Sequence, residues 1–291
     1  MKKLLPLLLA LLLLAGCAET YDGPTEEKPM LTELSVTHYN NTTGWESEPY
    51  TNRTLYAYDI HGNMARSMEY LSDKLHSITN FRYDDRGNNI SAITWDHSGW
   101  FPKFHDRTEQ TYDEQDRCLS YVWYNFWGGQ ESGIWYSYDD AQGICTCRDE
   151  SGELLHTSWY DEKGNEIRYV SDSSETVYEY DDRGNCTGWV SYKNGQPYDR
   201  YEARYDDQDR QFWGGYYDAD GNLSNHTEFV YDSEANTKTH FKKDGSIRVE
   251  YYHADGRISM TEDYNAEGKL SFVQRYTYQN ILIPVKGDDT P

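Results

Sequence analysis

The sequence predicts an all-β fold: an elongated antiparallel β-meander of strand-turn units about 12 residues long, curved or coiled into a strip. Three observations carry this expectation. The hexapeptide Tyr-Asp-Asp-Arg-Gly-Asn occurs twice, at Tyr83–Asn88 and at Tyr180–Asn185. Related stretches begin at Tyr58 (YDIHGN), Tyr160 (YDEKGN), Tyr217 (YDADGN), Tyr252 (YHADGR) and Tyr264 (YNAEGK). With other turn-like segments they place a turn signal about every 12 residues, from about residue 59 to 268. The chain is also 15% aromatic, with 28 Tyr and 9 Trp. These residues favour strands and bring large apolar area with a polar tip.

The chemistry of the hexapeptide is that of a hairpin turn. In Asp-x-x-Gly the Asp carboxylate accepts from a backbone N–H two residues on, and Gly supplies the left-handed conformation. A type I turn followed by such a residue is a common three-residue hairpin loop with a bulge. Where Gly is missing, at Tyr112 (YDEQDR) and Tyr205 (YDDQDR), Asp116 and Asp209 take its place, and Asp tolerates that conformation. The flanks alternate with period two. The residue two before the Tyr is aromatic at Tyr56, Phe81, Tyr136, Tyr178, Phe229 and Tyr276, which puts each pair on one sheet face.

The chain opens with MKKLLPLLLALLLLAGC, a short basic region and then an apolar run too short for a stable membrane span. Leu14-Ala15-Gly16-Cys17 resembles a bacterial lipobox, which implies cleavage after residue 16 and acylation of Cys17. Residues 1–16 are then a lipoprotein signal peptide, and 17–30 the lipidated cysteine with an acidic tether. Residues 31–283 form the repeat domain and 284–291 a flexible tail. Leu31–Tyr39 reads as an opening strand, Asn40–Thr54 as a polar loop, and Ile281–Val285 as a last strand broken by Pro284. The implied location is the extracytoplasmic face of a cell membrane, with the bilayer as a partner through the lipid.

Y-x-Y-D-x-x-G-N, at Tyr56–Asn63 and Tyr178–Asn185, resembles the YD repeat of RHS-type and teneurin-type proteins. The resemblance spans about residues 56–279. It implies an antiparallel β-strip that coils. Asn mostly stands where that family has Arg, and no segment resembles its self-cleaving core or toxin tail. A short, open, curved strip is therefore expected rather than a closed shell.

The strip bears on the cysteines that follow Cys17. Cys118, Cys145 and Cys186 share one register after their turns, and equivalent positions on alternate strands lie about 9.5 Å apart. A disulfide needs Cα atoms within about 7 Å. Cys145 and Cys147 share a face of one strand, so all four are expected as free thiols.

Charge excludes one class of partner. The chain has 27 Lys+Arg against 50 Asp+Glu, a net charge of −23, and loss of Lys2 and Lys3 with the signal brings it to −25. Such a surface repels nucleic acid. No nucleophile elbow, P-loop, dinucleotide fingerprint or zinc-ligand spacing is present in the sequence, so no catalytic residue, no cofactor and no firm metal ligand is expected. Asp218 and Asp220 are the nearest approach to a calcium loop, which lacks its closing Glu. Phe-Trp-Gly-Gly occurs at 126–129 and at 212–215. The ligand-binding candidates are Trp123, Trp127, Trp135 and Trp213, as platforms for a sugar ring or a partner's side chain. The expected function is a non-catalytic, lipid-anchored scaffold that binds an envelope or host glycan or a surface protein. The alternatives are an interaction or immunity protein of an RHS-like toxin system, and a carbohydrate-active enzyme.

Overall fold

The computed structural model describes residues 25–39 and 49–284; Cys17 and the signal segment lie outside them. The described residues form twenty strands and no helix. The first five are β1 (Thr25–His38), β2 (Tyr50–Tyr58), β3 (Met64–Leu71), β4 (Lys74–Tyr83) and β5 (Asn89–Asp96). The next five are β6 (Lys103–Tyr112), β7 (Cys118–Tyr124), β8 (Gln130–Asp139), β9 (Ile144–Asp149) and β10 (Leu154–Tyr160). Then come β11 (Glu166–Ser171), β12 (Glu175–Tyr180), β13 (Cys186–Lys193), β14 (Gln196–Tyr205) and β15 (Gln211–Tyr217). The last are β16 (Leu223–Asp232), β17 (Thr237–Lys242), β18 (Ile247–Tyr252), β19 (Ile258–Tyr264) and β20 (Leu270–Pro284).

Each strand pairs antiparallel with the next, as a meander of hairpins requires. The predicted turn chemistry is present. Asp84 Oδ1 accepts from Arg86 N and Asn88 N at 3.0 and 2.8 Å, and Gly87 has φ +91°. Asp116 and Asp209 adopt φ +61° and +59° in the glycine position. A bulge precedes the turn, where the register shifts between Arg82 and Tyr83.

The expected open strip is not what forms. β1 pairs with β20 from Thr25↔Pro284 to His38↔Phe272, so the sheet closes on itself as a twenty-stranded barrel. An open strip would leave two edges of unpaired N–H and C=O groups, and closure satisfies both. Two boundaries move with it. Thr25–Met30, assigned to the tether, belong to β1, and Tyr50–Thr54, assigned to the polar loop, belong to β2. Residues 40–48 of that loop and the tail from 285 lie outside the described residues.

The wall is one sheet thick, and strands touch only their sheet neighbours. The face bearing the turn tyrosines also carries Cys145, Cys147, Ser158, Ala203, Thr261 and Asp263, all buried. The other face carries Trp95, Trp135, Val177, Val230 and Phe241, all exposed. Closing a sheet crowds side chains on its concave side, so the tyrosine face lines the interior. Twenty strands about 4.8 Å apart give a mean radius of at least about 15 Å. A side-chain layer about 5 Å deep then leaves the centre open. The buried apolar residues among those described are small or few: Cys145, Cys147, Ala203, Val273 and Ile283. The barrel is a hollow cylinder without a conventional core.

Candidate functional site

The meander sorts its connections onto two rims. Every even-to-odd turn, including both hexapeptides, lies at one end; every odd-to-even turn lies at the other.

The hexapeptide rim is a ladder of bonds between neighbouring turns. Seven tyrosine hydroxyls donate to the first carbonyl of the preceding strand, or near it. They are Tyr58 to Leu31 O, Tyr83 to Met64 O, Tyr112 to Asn89 O, Tyr138 to Cys118 O, Tyr180 to Glu166 O, Tyr205 to Cys186 O and Tyr231 to Gln211 O, at 2.7–3.0 Å. These bonds tie each hairpin to the one before. The hexapeptide itself adds a second tie. Arg86 Nη1 donates to Asp113 O at 2.7 Å and pairs with Asp116 Oδ1 at 2.9 Å, while Asn88 Nδ2 donates to the same Asp116 oxygen at 2.7 Å. Arg183 and Asn185 make the same contacts with Asp206 O and Asp209, at 2.8–3.0 Å. Each exact hexapeptide thus faces a turn in which Asp has replaced Gly. That complementarity is why the six residues are written twice.

Electrostatics on this rim follow from the bonds. The Asn185 side chain and backbone N–H bonds hold the Asp181 carboxyl below its usual range, and Arg210 does the same for Asp206. Burial pushes the interior phenols up, Tyr136 to about 12, with Tyr138 and Tyr252 shifted the same way.

The opposite rim is aromatic at one place. The loop of residues 97–102 between β5 and β6 carries Trp100 and Phe101, exposed by 99% and 79%. The adjacent β7–β8 turn carries Phe126 and Trp127, exposed by 48% and 86%, with their rings edge to face at 5.0 Å. Trp95 and Phe104, edge to face at 5.8 Å, support the base of the first loop. Trp100 and Phe101 are turn-tip residues with no repeat partner, and only a search for apolar residues between turn signals would have raised them from the sequence.

The four predicted tryptophans do not form one site. Trp127 stands at the tip of the aromatic rim, and Trp123 lies just below it on the interior face, 4.2 Å from Tyr121. Trp135 sits on the outer wall, its ring 2.6 Å from where a Cβ on Gly133 would be. Trp213 lies seven strands from β8, on the outer face, with its ring over Gly215 and Arg204 stacked on it at 4.6 Å. These two fill the gaps left by strand glycines. The repeated Phe-Trp-Gly-Gly therefore has two structures: a turn at 126–129, where Asn125 Oδ1 accepts from Trp127 N at 3.0 Å, and a strand at 212–215.

Asp218 and Asp220 share a turn on the aromatic-side rim. Asp218 Oδ1 accepts from Asp220 N and Asn222 N at 3.0 and 2.8 Å, which occupies it as a turn former. Among the described residues no group of three or more His, Cys, Asp or Glu side chains is arranged to hold a metal ion. Cys118, Cys145, Cys147 and Cys186 are free thiols, as the register argument requires.

The outer wall is charged at mid-height. Arg107, Glu109, Arg168, Arg200, Glu202, Arg204 and Glu228 all point outward, and Arg107 and Arg200 lie over the Tyr124 and Tyr217 rings at 4.2 Å. A lipid-facing wall presents an apolar band, and each arginine at its middle costs about 2–4 kcal/mol.

No protein-family model matches the chain, and no curated protein matches it. Among solved structures, a porin-like protein from Bacteroides uniformis ATCC 8492 is similar at 11% identity and a TM-score of 0.38, over 88% of this chain and 99% of that one. A porin-like protein from Bacteroides vulgatus ATCC 8482 is similar at 11% identity and a TM-score of 0.26, over 87% and 99% of the two chains. TcdB2-TccC3 is similar at 9% identity and a TM-score of 0.31, and the match covers 86% of this chain and 19% of that one.

Proposed function

We propose that this chain is a lipid-anchored, non-catalytic binding protein of the bacterial cell surface, and that its aromatic rim holds a glycan of the envelope or of a host. The observation that carries the reading is the cluster of Trp100, Phe101, Phe126 and Trp127, four large apolar side chains exposed on adjacent turns. Exposed apolar patches of this kind mark binding surfaces, and a rigid aromatic ring offers contact area at little entropic cost. The charged outer wall favours a barrel that stands in water beside the bilayer rather than within it. Topology favours the same orientation. β1 enters at the hexapeptide rim, where Ile283 of its partner strand is buried against Gly62. Residues 18–24 allow a reach of about 25–30 Å from Cys17. The aromatic rim is thereby the end turned away from the anchor. The resemblance of the turns to YD repeats belongs to this reading as a shared strand-turn unit.

The test is affinity electrophoresis through gels containing different polysaccharides. The wild type is retarded, Trp100→Ala and Trp127→Ala each lose most of the retardation, and Trp213→Ala keeps it. Equal loss in Trp213→Ala would move the site to the wall. No retardation on any glycan would leave a protein partner as the reading to pursue.

A further inference from the structure

Beside the aromatic loop lies a cavity of about 270 Å³, lined by Glu69 of β3, His76 and Ser77 of β4, Thr94 and Asp96 of β5, and His105 of β6. Its size is just below the range of about 300–1,000 Å³ typical of drug-sized sites, which suits one small ligand unit. Asp96 and His105 are the walls from which the loop bearing Trp100 and Phe101 rises.

We infer that this cavity receives the ammonium group of an amino-sugar unit, so that the preferred ligand of the rim is a glycan with free amines; this rests on the glycan reading above. Two carboxylates face one space. Glu69 Oε2 accepts from Ser77 Oγ at 2.8 Å, and Asp96 Oδ1 accepts from Ser98 N at 2.7 Å, so both are fixed in place. A third, Asp106, lies opposite Thr94 in the ladder, next to His105. Lys103, opposite Asp96, lies outside the lining. Carboxylates so placed make charge-assisted bonds to an ammonium group. The Ser77 and Thr94 hydroxyls and the two imidazoles supply donors and acceptors for ring hydroxyls. Trp100 offers an apolar face beside them. The chain's net charge of −23 works in the same direction, since it attracts a cationic polymer and repels a sulfated or carboxylated one.

The test compares the tetramer of glucosamine with the tetramer of N-acetylglucosamine by titration calorimetry at about 0.15 M salt, where long-range attraction is screened. The purified protein is expected to bind the free-amine tetramer about tenfold more tightly. The double variant Glu69→Gln, Asp96→Asn keeps the oxygens that accept from Ser77 and Ser98, so it folds; it is expected to bind both tetramers alike. Equal affinities in the wild type, or a preference that survives in the double variant, would overturn the inference. If neither tetramer binds but a neutral polysaccharide still retards the protein, this inference falls and the glycan reading stands. If no glycan is retarded either, both fall.

Discussion

At the scale of single residues, the phenol of each turn tyrosine has two roles. Its ring fills the interior face of a wall that has few aliphatic residues, and its hydroxyl reaches a carbonyl one hairpin away. Tyr83→Phe keeps the ring and removes the bond to Met64 O, and is expected to cost about 0.5–1.5 kcal/mol in urea unfolding. Trp127→Ala touches no such bond, and its stability is expected to stay within about 0.5 kcal/mol of the wild type. Burial raises the phenols above their unfolded value, Tyr136 to about 12. A group raised in the folded state contributes its stability in full below the unfolded pKa near 10, and loses it as pH rises through the folded value. The melting temperature is therefore expected to fall between pH 10 and 12. The turn carboxylates Asp181, Asp206 and Asp218 are depressed by their hydrogen bonds, so their contribution holds above the unfolded value near 3.9 and is lost on acidification below it. Circular dichroism melts across pH 3–12 check both limbs. A melting temperature flat from pH 9 to 11.5 would contradict the role given to the phenols.

At the scale of elements, the strand-turn unit was legible because its chemistry is local. An Asp that binds backbone two residues on, and a Gly or Asp that accepts positive φ, need only five consecutive residues to be recognised. Even the substitution of Gly by Asp116 and Asp209 was readable. What those aspartates bind was not, since Arg86 and Arg183 reach them from another turn. The exact hexapeptides follow β4 and β12, and the Asp-substituted turns follow β6 and β14, so the barrel repeats itself at an interval of eight strands. These inter-turn ion pairs are solvent-exposed, and Arg183→Ala is expected to cost no more than about 1 kcal/mol in thermal or urea unfolding. Phe-Trp-Gly-Gly shows the limit of reading by identity. Asn125 before one copy turns it into a loop tip, while Gln211 before the other continues a strand, and only the first presents an exposed tryptophan.

At the scale of the whole molecule, closure decides what the surface is. It creates two rims, an interior and an outer wall, and it hides the sheet edges that an open strip would offer to other chains. The sequence holds no local sign of it, because β1 and β20 are joined by residues more than 230 apart and by no repeat. Thr25–Met30 look like a tether by composition, acidic and Pro-containing, and become strand only because Gln279–Pro284 lie beside them. The candidate site was legible in part for the same reason. Trp127 was visible as a tryptophan beside glycine, whereas its neighbour Trp100 and the cavity of Glu69 and Asp96 depend on which hairpins stand side by side. The separation of an anchored rim from an aromatic rim requires the seam, so the seam is the most direct thing to measure. Ser35 and Arg275 are opposite each other across it, as Thr111 and Ser120 are across an ordinary hairpin pair. Directly opposed strand residues have Cα atoms about 4.5–5.5 Å apart, within disulfide reach. Mild oxidation of Ser35→Cys, Arg275→Cys should give a cross-link in peptide mapping as readily as Thr111→Cys, Ser120→Cys. A seam pair that stays reduced while the hairpin pair closes would mean that the sheet is open.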